Sequence, residues 1–317
     1  MQTDSHINEL IEDFLESIEA ADSTKAAYRK SLQYWIVWST RNDCSLHNPV
    51  RADLLRYKSY LVNSKKSAAT TDSYFISIRR FLSWLKEEGH MANNPAEGLK
   101  WQRDKRGIFI KQALALGQVE KLLAVHDQDT AVSKRNYALI DLMSFTGLRC
   151  IEVTRLNIGD IKRAANRWHL QVWRKGRNER GGMITVPPDR IRPIKDYWKY
   201  RAGSLADDQP VFVNHSPRSN NTRLTPTCIS RIIKGSLRKI GLDSNRYTAH
   251  SLRHTAATLA YLAGSEYFEI GNMLGHSSPR QTEHYIHSLG VESTLQGRAT
   301  DKIQEYVQKQ KKQREKH

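Results

Sequence analysis

Cysteine is scarce and scattered. Cys44, Cys150 and Cys228 are the only three in 317 residues, and no Cys-x-x-Cys pair occurs. This excludes a disulfide framework and a cysteine-built zinc site, and it fits a reducing compartment. No apolar run approaches the roughly 20 residues of a membrane-spanning helix. The N-terminus lacks the charged-then-apolar order of a secretory leader, so a cytoplasmic location is expected. Also missing are a glycine-rich phosphate loop, a His-Glu-x-x-His zinc motif and any paired acidic cluster. The expectation is therefore that neither cofactor nor metal is required.

Negative charge is the other shortage. Lys and Arg number 50 against 33 Asp and Glu, which leaves a net charge of +17 and a pI of about 9.8. A surface of that sign favours a polyanion such as DNA or RNA. The charge is uneven: residues 1–22 carry seven acids and no Lys or Arg, whereas residues 112–317 hold 33 Lys and Arg against 19 Asp and Glu. At 317 residues and 39% hydrophobic content the chain is long enough for two domains with real cores.

The pattern predicts a mainly α fold with a small β-sheet. Ile7, Leu10, Ile11, Phe14, Leu15 and Ile18 fall at helical spacing over 6–20, opposite an acidic face. Asp22-Ser23-Thr24 offers a cap to a helix over 26–38. A third helix is expected over 50–63 and a fourth over 68–88, with a stripe of Phe75, Ile78, Leu82 and Leu85, ending at Gly89. Asn93-Asn94-Pro95 breaks the helical run, and the basic stretch 99–111 reads as a linker. This gives an N-terminal four-helix domain over 1–98 and an α+β domain over 112–317. In the second domain, helices are expected after Gly117 and through 134–146, the latter capped by Gly147. A hairpin follows over 168–187, then a polar loop over 203–224. Thr225-Pro226 then opens a further helix.

One constellation carries chemistry. His250 and Arg253 are three apart and share a helix face. His276 sits in Gly-His-Ser-Ser-Pro, Tyr285 follows nine residues later, and Arg149 lies a hundred residues upstream in Thr-Gly-Leu-Arg. Two arginines, histidines and a tyrosine without carboxylates or metal suit attack on a phosphodiester. Each residue alone has an ordinary reading: a hydrogen-bonded histidine, an ion-pair arginine, a loop histidine, a tyrosine on an amphipathic helix. Their order and spacing together point away from those readings.

The stretches T-G-L-R-C-I-E-V, H-S-L-R-H-T, L-G-H-S-S and H-Y-I-H resemble the signature of tyrosine recombinases, the phage integrase family, with compact Xer-type enzymes and mobile-element integrases nearest. The resemblance implies a SAM-like DNA-clamping N-terminal domain and a catalytic domain that cuts and rejoins DNA through a covalent 3′-phosphotyrosine. It implies Tyr285 as nucleophile and His250 as its base. Arg149 and Arg253 would be donors to the non-bridging oxygens, with His276 as a third. Lys175, at the hairpin tip, resembles the family's leaving-group lysine, although Arg174 stands where the usual Gly-Lys-Gly setting has its first glycine. Glu152 is the carboxylate expected to hold Arg149 in an outer ion pair. Thr70, Thr71, Ser73, Ser77, Arg79 and Arg80 suit groove contacts, and Arg231, Lys234 and Arg238 suit contacts to the DNA backbone. By pattern alone both sets read equally as solvated helix faces. The implied partners are double-stranded DNA with a specific core site and three further copies of the chain, a homo-tetramer with a dimer on each site. A C-terminal tail would dock on a neighbour. A type IB topoisomerase-like enzyme and a non-catalytic DNA-binding regulator remain the alternatives.

Overall fold

The computed structural model describes residues 2–46, 48–64, 66–99, 111–174, 181–217 and 221–276. The chain divides into two compact units, Met1–Ile108 and Phe109–His317.

The first unit is built from α1 (Gln2–Ser17), α2 (Asp22–Arg41), α3 (Arg51–Asn63) and α4 (Ala68–Glu87). Its apolar stripes meet in one core. Ile7, Leu10, Ile11, Phe14 and Leu15 of α1 are buried with Phe75, Ile78, Leu82 and Leu85 of α4, while Ile18 packs at the edge. Trp35 and Trp38 of α2 stack at 5.4 Å, and Trp35 meets Tyr57 of α3 edge-on at 4.8 Å, geometries that aromatic quadrupoles favour. The expected cap at Asp22-Ser23-Thr24 is displaced: α2 starts on Asp22, and Ala21 precedes it without a side-chain cap. Asp22 serves instead as an acid in the first turn, where the helix dipole welcomes it. In α4 the Ser67 hydroxyl does cap, accepting from the Thr70 amide at 3.2 Å. Gly89, at φ +78, follows the helix end. Leu99, read from sequence as the first linker residue, is buried in this core, so the helical unit reaches past 98. Of the rest of the 99–111 stretch, 100–110 lie outside the described residues, and Lys111 bonds Asn245 O of the second unit.

The second unit contains α5 (Leu116–Ala124), α6 (Ala131–Thr146) and α7 (Cys150–Arg155). The strands β1 (Ile161–Ala164), β2 (Arg167–Val172) and β3 (Gly182–Val186) follow, and then α8 (Pro188–Trp198), α9 (Pro226–Lys239), α10 (Ala249–Leu262) and α11 (Tyr267–Leu274). The strands form one antiparallel sheet in the order β1-β2-β3, with Leu170 opposite both Ile161 and Ile184. These three side chains share the buried face. Sequence reading anticipated β2 and β3 but not β1, which is four residues long and has one buried residue. It also passed over α8, whose internal Pro193 disguises its helical spacing.

Helix α6 is the axis of this unit. Leu139, Ile140, Leu142 and Met143 are all buried, as its continuous apolar run requires. Gly147 ends it in the left-handed conformation at φ 66, donating its amide to Met143 O. A Cβ there would stand 2.4 Å from Leu274 Cδ2 and 3.3 Å from Ala256 Cβ. Glycine is thus required both for the turn and for the close approach of α10 and α11.

Candidate active site

The chain leaving Gly147 passes through Leu148 to Arg149, which is the N-cap position of α7. The Arg149 amide donates to Glu152 Oε2 at 2.8 Å and its Nη1 to Glu152 Oε1 at 3.0 Å. The Arg149 side chain keeps 25% of its surface and Glu152 keeps none. The pair was expected at the surface, but the structure buries its acid. The carboxylate therefore fixes Arg149 from backbone and side chain together, and removing it would leave a cation without its buried partner.

Arg253 lies three residues after His250 on α10, one turn along the same helix. It is 1% exposed, and its guanidinium spans two backbone carbonyls: Gly147 O at 2.8 Å and Leu274 O at 2.7 Å. These bonds tie the loop that presents Arg149 to the end of α11 that presents His276. Gly275, at φ 65, turns the chain out of α11, and the His276 amide closes back on Gly271 O at 3.0 Å. One buried fork thus positions residues drawn from 149 and 276.

The histidines register the result. His276 is half-buried, and burial followed by the cations Arg253, Arg149 and Arg174 pushes its pKa down to about 4. His250 keeps an exposed surface. Even so, desolvation by the protein around its ring is the largest cause of a shift to about 4, with Arg253, Arg149 and Lys111 adding to it. Both rings are neutral at pH 7, able to accept a proton or to donate a neutral N–H bond. His254 is buried, edge-on against His250 at 5.0 Å.

Arg149, Arg253, His276, His250 and Glu152 are therefore brought together from three separate stretches: the start of α7, α10 and the turn after α11. Tyr285 and Lys175 lie outside the described residues. Sequence reasoning missed Arg174. It is 7% exposed, with its fork on the Leu274, Asn272 and Met273 carbonyls at 3.2, 3.2 and 3.0 Å. The available signal was an arginine in a place where the resembling motif has glycine. Lys111, which donates to Asn245 O at 2.6 Å and bears on His250, gave no signal in its irregular stretch. Among the described residues, no group of His, Cys, Asp and Glu is placed to hold a metal, and no helix is long and apolar enough to cross a membrane.

The residues expected to touch DNA divide. On α4, Ser73, Arg79 and Arg80 are exposed, and Thr70 is half-buried with its hydroxyl on Ser67 at 2.8 Å. Arg79 donates to Leu99 O, and the Arg80 guanidinium lies 5.9 Å from the Tyr28 ring. Thr71 and Ser77 are buried, their hydroxyls returned to Ala68 O and Ser73 O one turn back. They pack the helix rather than reach a groove. On α9, Arg231 is exposed and Arg238 is exposed while paired with Asp243 at 2.7 Å. Lys234 departs from the expectation. Its ammonium is used on the carbonyls of Asp243, Ser244 and Tyr247 at 2.6, 2.9 and 3.2 Å, stapling the loop before α10.

The Phage integrase family model matches residues 112–290, and the model for the phage integrase N-terminal SAM-like domain matches residues 7–89. The chain is 27% identical over 292 residues to tyrosine recombinase XerD of Listeria monocytogenes, covering 89% of this chain and 94% of that one. It is also 27% identical over 270 residues to tyrosine recombinase XerC of Herpetosiphon aurantiacus, covering 84% of each. The fold is shared with the XerH site-specific recombinase in a post-cleavage complex with a palindromic difH substrate. That likeness has a TM-score of 0.71 at 22% identity, over 87% of this chain and 79% of that one. A lambda integrase dimer bound to a COC′ core site gives a TM-score of 0.67 at 15% identity, over 89% and 94%. With both of its units matched in chain order, and with the arginines and histidines of the motif gathered at one place, the chain belongs to the phage integrase family of tyrosine recombinases, enzymes that cut and rejoin DNA strands.

Proposed function

We propose that this chain is a site-specific DNA recombinase whose Arg149, Arg253 and His276 hold the scissile phosphate while Tyr285 attacks it. The observation that supports the reading most is the Arg253 fork, which bonds Gly147 O and Leu274 O and so ties the loop before Arg149 to the end of α11 before His276. A phosphodiester gains negative charge on its non-bridging oxygens as a fifth ligand approaches. Guanidiniums that cannot lose their protons stabilise that state, and their fixed geometry avoids reorganisation.

A tyrosine titrates near ~10, so about 0.1% is phenolate at neutral pH. His250, held neutral, is the group to take the phenolic proton. The Tyr285 oxygen bonds to phosphorus, the bond to the 5′ oxygen breaks, and Lys175 gives that oxygen a proton. The products are a 3′-phosphotyrosine and a free 5′-hydroxyl. Attack by another 5′-hydroxyl reverses the step and restores the enzyme, so the phosphoester bond is conserved without ATP.

Exchange between two duplexes cuts four strands, which calls for four protomers: a dimer on each core site and the residues after Tyr285 docking on a neighbour. A mobile-element setting and a cytoplasmic location fit the same reading. The Xer relatives favour strand exchange over topoisomerase-like relaxation. A nicked suicide duplex carrying the core site is the test. A covalent protein–DNA adduct is expected with the wild-type chain and none with Tyr285→Phe; an adduct that persists in that variant would remove Tyr285 from its role. Gel filtration of the DNA complex is expected to show four protomers on paired sites.

A further inference from the structure

Arg174 stands two residues beyond the end of β2 and is almost fully buried, yet it does not serve the sheet. Its Nη1 and Nη2 reach the carbonyls of Asn272, Met273 and Leu274, the last turn of α11. Carbonyls at a helix C-terminus have no intrahelical donor and carry the negative end of the helix dipole, so a planar cation with several N–H groups is well matched to them. Arg174 Nη1 also lies 3.7 Å from Glu152 Oε1, the oxygen that accepts the Arg149 guanidinium.

The space for this side chain is itself built. A Cβ on Gly182 would lie 2.5 Å from Arg174 Nε, and a Cβ on Gly275 would also lie 2.5 Å from it. Gly275 needs its left-handed φ, but Gly182 does not: it sits in β3 at an ordinary backbone angle. Its missing side chain is explained by Arg174 together with Val172, whose Cγ2 would lie 2.8 Å from the same Cβ. The Arg174 side chain thus runs between two glycines to join the base of the β2–β3 hairpin, the end of α11 and the Glu152 carboxylate.

We propose that Arg174 is a positioning residue for DNA cleavage, locking the Gly275–His276 turn and the Arg149 carboxylate to the base of the hairpin. It acts through His276 and Arg149, so the proposal rests on the recombinase reading above. Two arginines hold Leu274 O, Arg253 from α10 and Arg174 from the sheet, and His276 follows that carbonyl by two residues. With one of the two gone, the turn is held from one side. An angstrom of slack at a phosphate-binding group is enough to cost about 100-fold in rate.

The test measures single-turnover cleavage of the suicide duplex at saturating protein, DNA affinity and thermal melting, for the full chain. Arg174→Met keeps the bulk and removes the fork. It is expected to slow cleavage by about 10- to 100-fold, on the scale set by misplacement of a catalytic group, with DNA affinity within about threefold. Arg174→Lys keeps the charge but cannot span three carbonyls and a carboxylate, so it should recover only a small part of the rate. Gly182→Ala crowds the slot while leaving Arg174 in place. It should show a loss of rate in the same direction, and combined with Arg174→Met it should cost less than the sum of the two, because they share the Arg174 slot while the clash with Val172 remains. Should Arg174→Met fail to fold, Arg174→Lys and Gly182→Ala carry the test. Folded, DNA-binding variants that cleave within threefold of wild type would overturn the proposal. Absence of any adduct with the wild-type chain would instead overturn the recombinase reading.

Discussion

The two arginines of the site differ in what their removal costs. Arg149 is partly open and held by a single carboxylate. Arg149→Ala is therefore expected to abolish the covalent adduct while leaving folding and DNA affinity nearly intact, as read by adduct yield, melting and gel shift. Arg253 is buried and donates to two carbonyls. Arg253→Ala should also abolish cleavage, but with an additional destabilisation of about 1–3 kcal/mol, the cost of an orphaned buried acceptor, since Gly147 O loses this donor while Leu274 O keeps Arg174. Urea midpoints of the two variants separate these cases. Normal cleavage in either would defeat the assigned role. The histidines yield a further prediction at this scale. Both are depressed to about 4, so the proton-accepting form of His250 is present throughout neutral pH and is lost only as pH falls toward that value. The acid limb of cleavage at subsaturating DNA, which reports the free enzyme, should lie near 4. A limb at the ordinary histidine value of about 6.5 would contradict the electrostatics described.

At the scale of elements, positions follow from where helices end. Gly147 ends α6, Gly275 ends α11, and each is followed within two positions by a residue of the motif, Arg149 or His276. Gly147→Ala forces a left-handed alanine, about 1–3 kcal/mol, and drives its Cβ into Leu274 Cδ2, a clash of a kind that adds about 1–3 more. Gly235, inside α9, has open space around it. Gly235→Ala should therefore stabilise by about 0.5–1 kcal/mol through helix propensity. Chemical denaturation of the pair checks both signs, and a stabilising Gly147→Ala would refute the account of the α6–α11 contact.

For the whole molecule the net charge of +17 makes DNA affinity a salt-dependent quantity. The logarithm of the binding constant should fall linearly with the logarithm of salt, with a slope of about −0.9 per neutralised phosphate. A flat response would contradict a clamp built on phosphate contacts. Acidic residues concentrate in the first 22 positions, so α1 should not contribute to that slope, and charge-neutral substitutions on its acidic face should leave it unchanged.

Sequence alone determined the four N-terminal helices, the capping glycine at 147, the helix opened by Thr225-Pro226, and the set Arg149, His250, Arg253 and His276. All of these are written in local spacing and in short motifs whose residue types are tied to one chemistry. It left β1 and α8 unread, because a four-residue strand with one buried side chain and a helix with an internal proline carry almost no periodic signal. Only the tertiary structure decided that Thr71 and Ser77 face inward and that Lys234 staples a loop. It also decided that Glu152 is buried and that Arg174 joins the sheet to α11. Each of those facts depends on which distant carbonyl or side chain arrives beside the residue, and the spacing of a residue along its own helix says nothing about what packs against it.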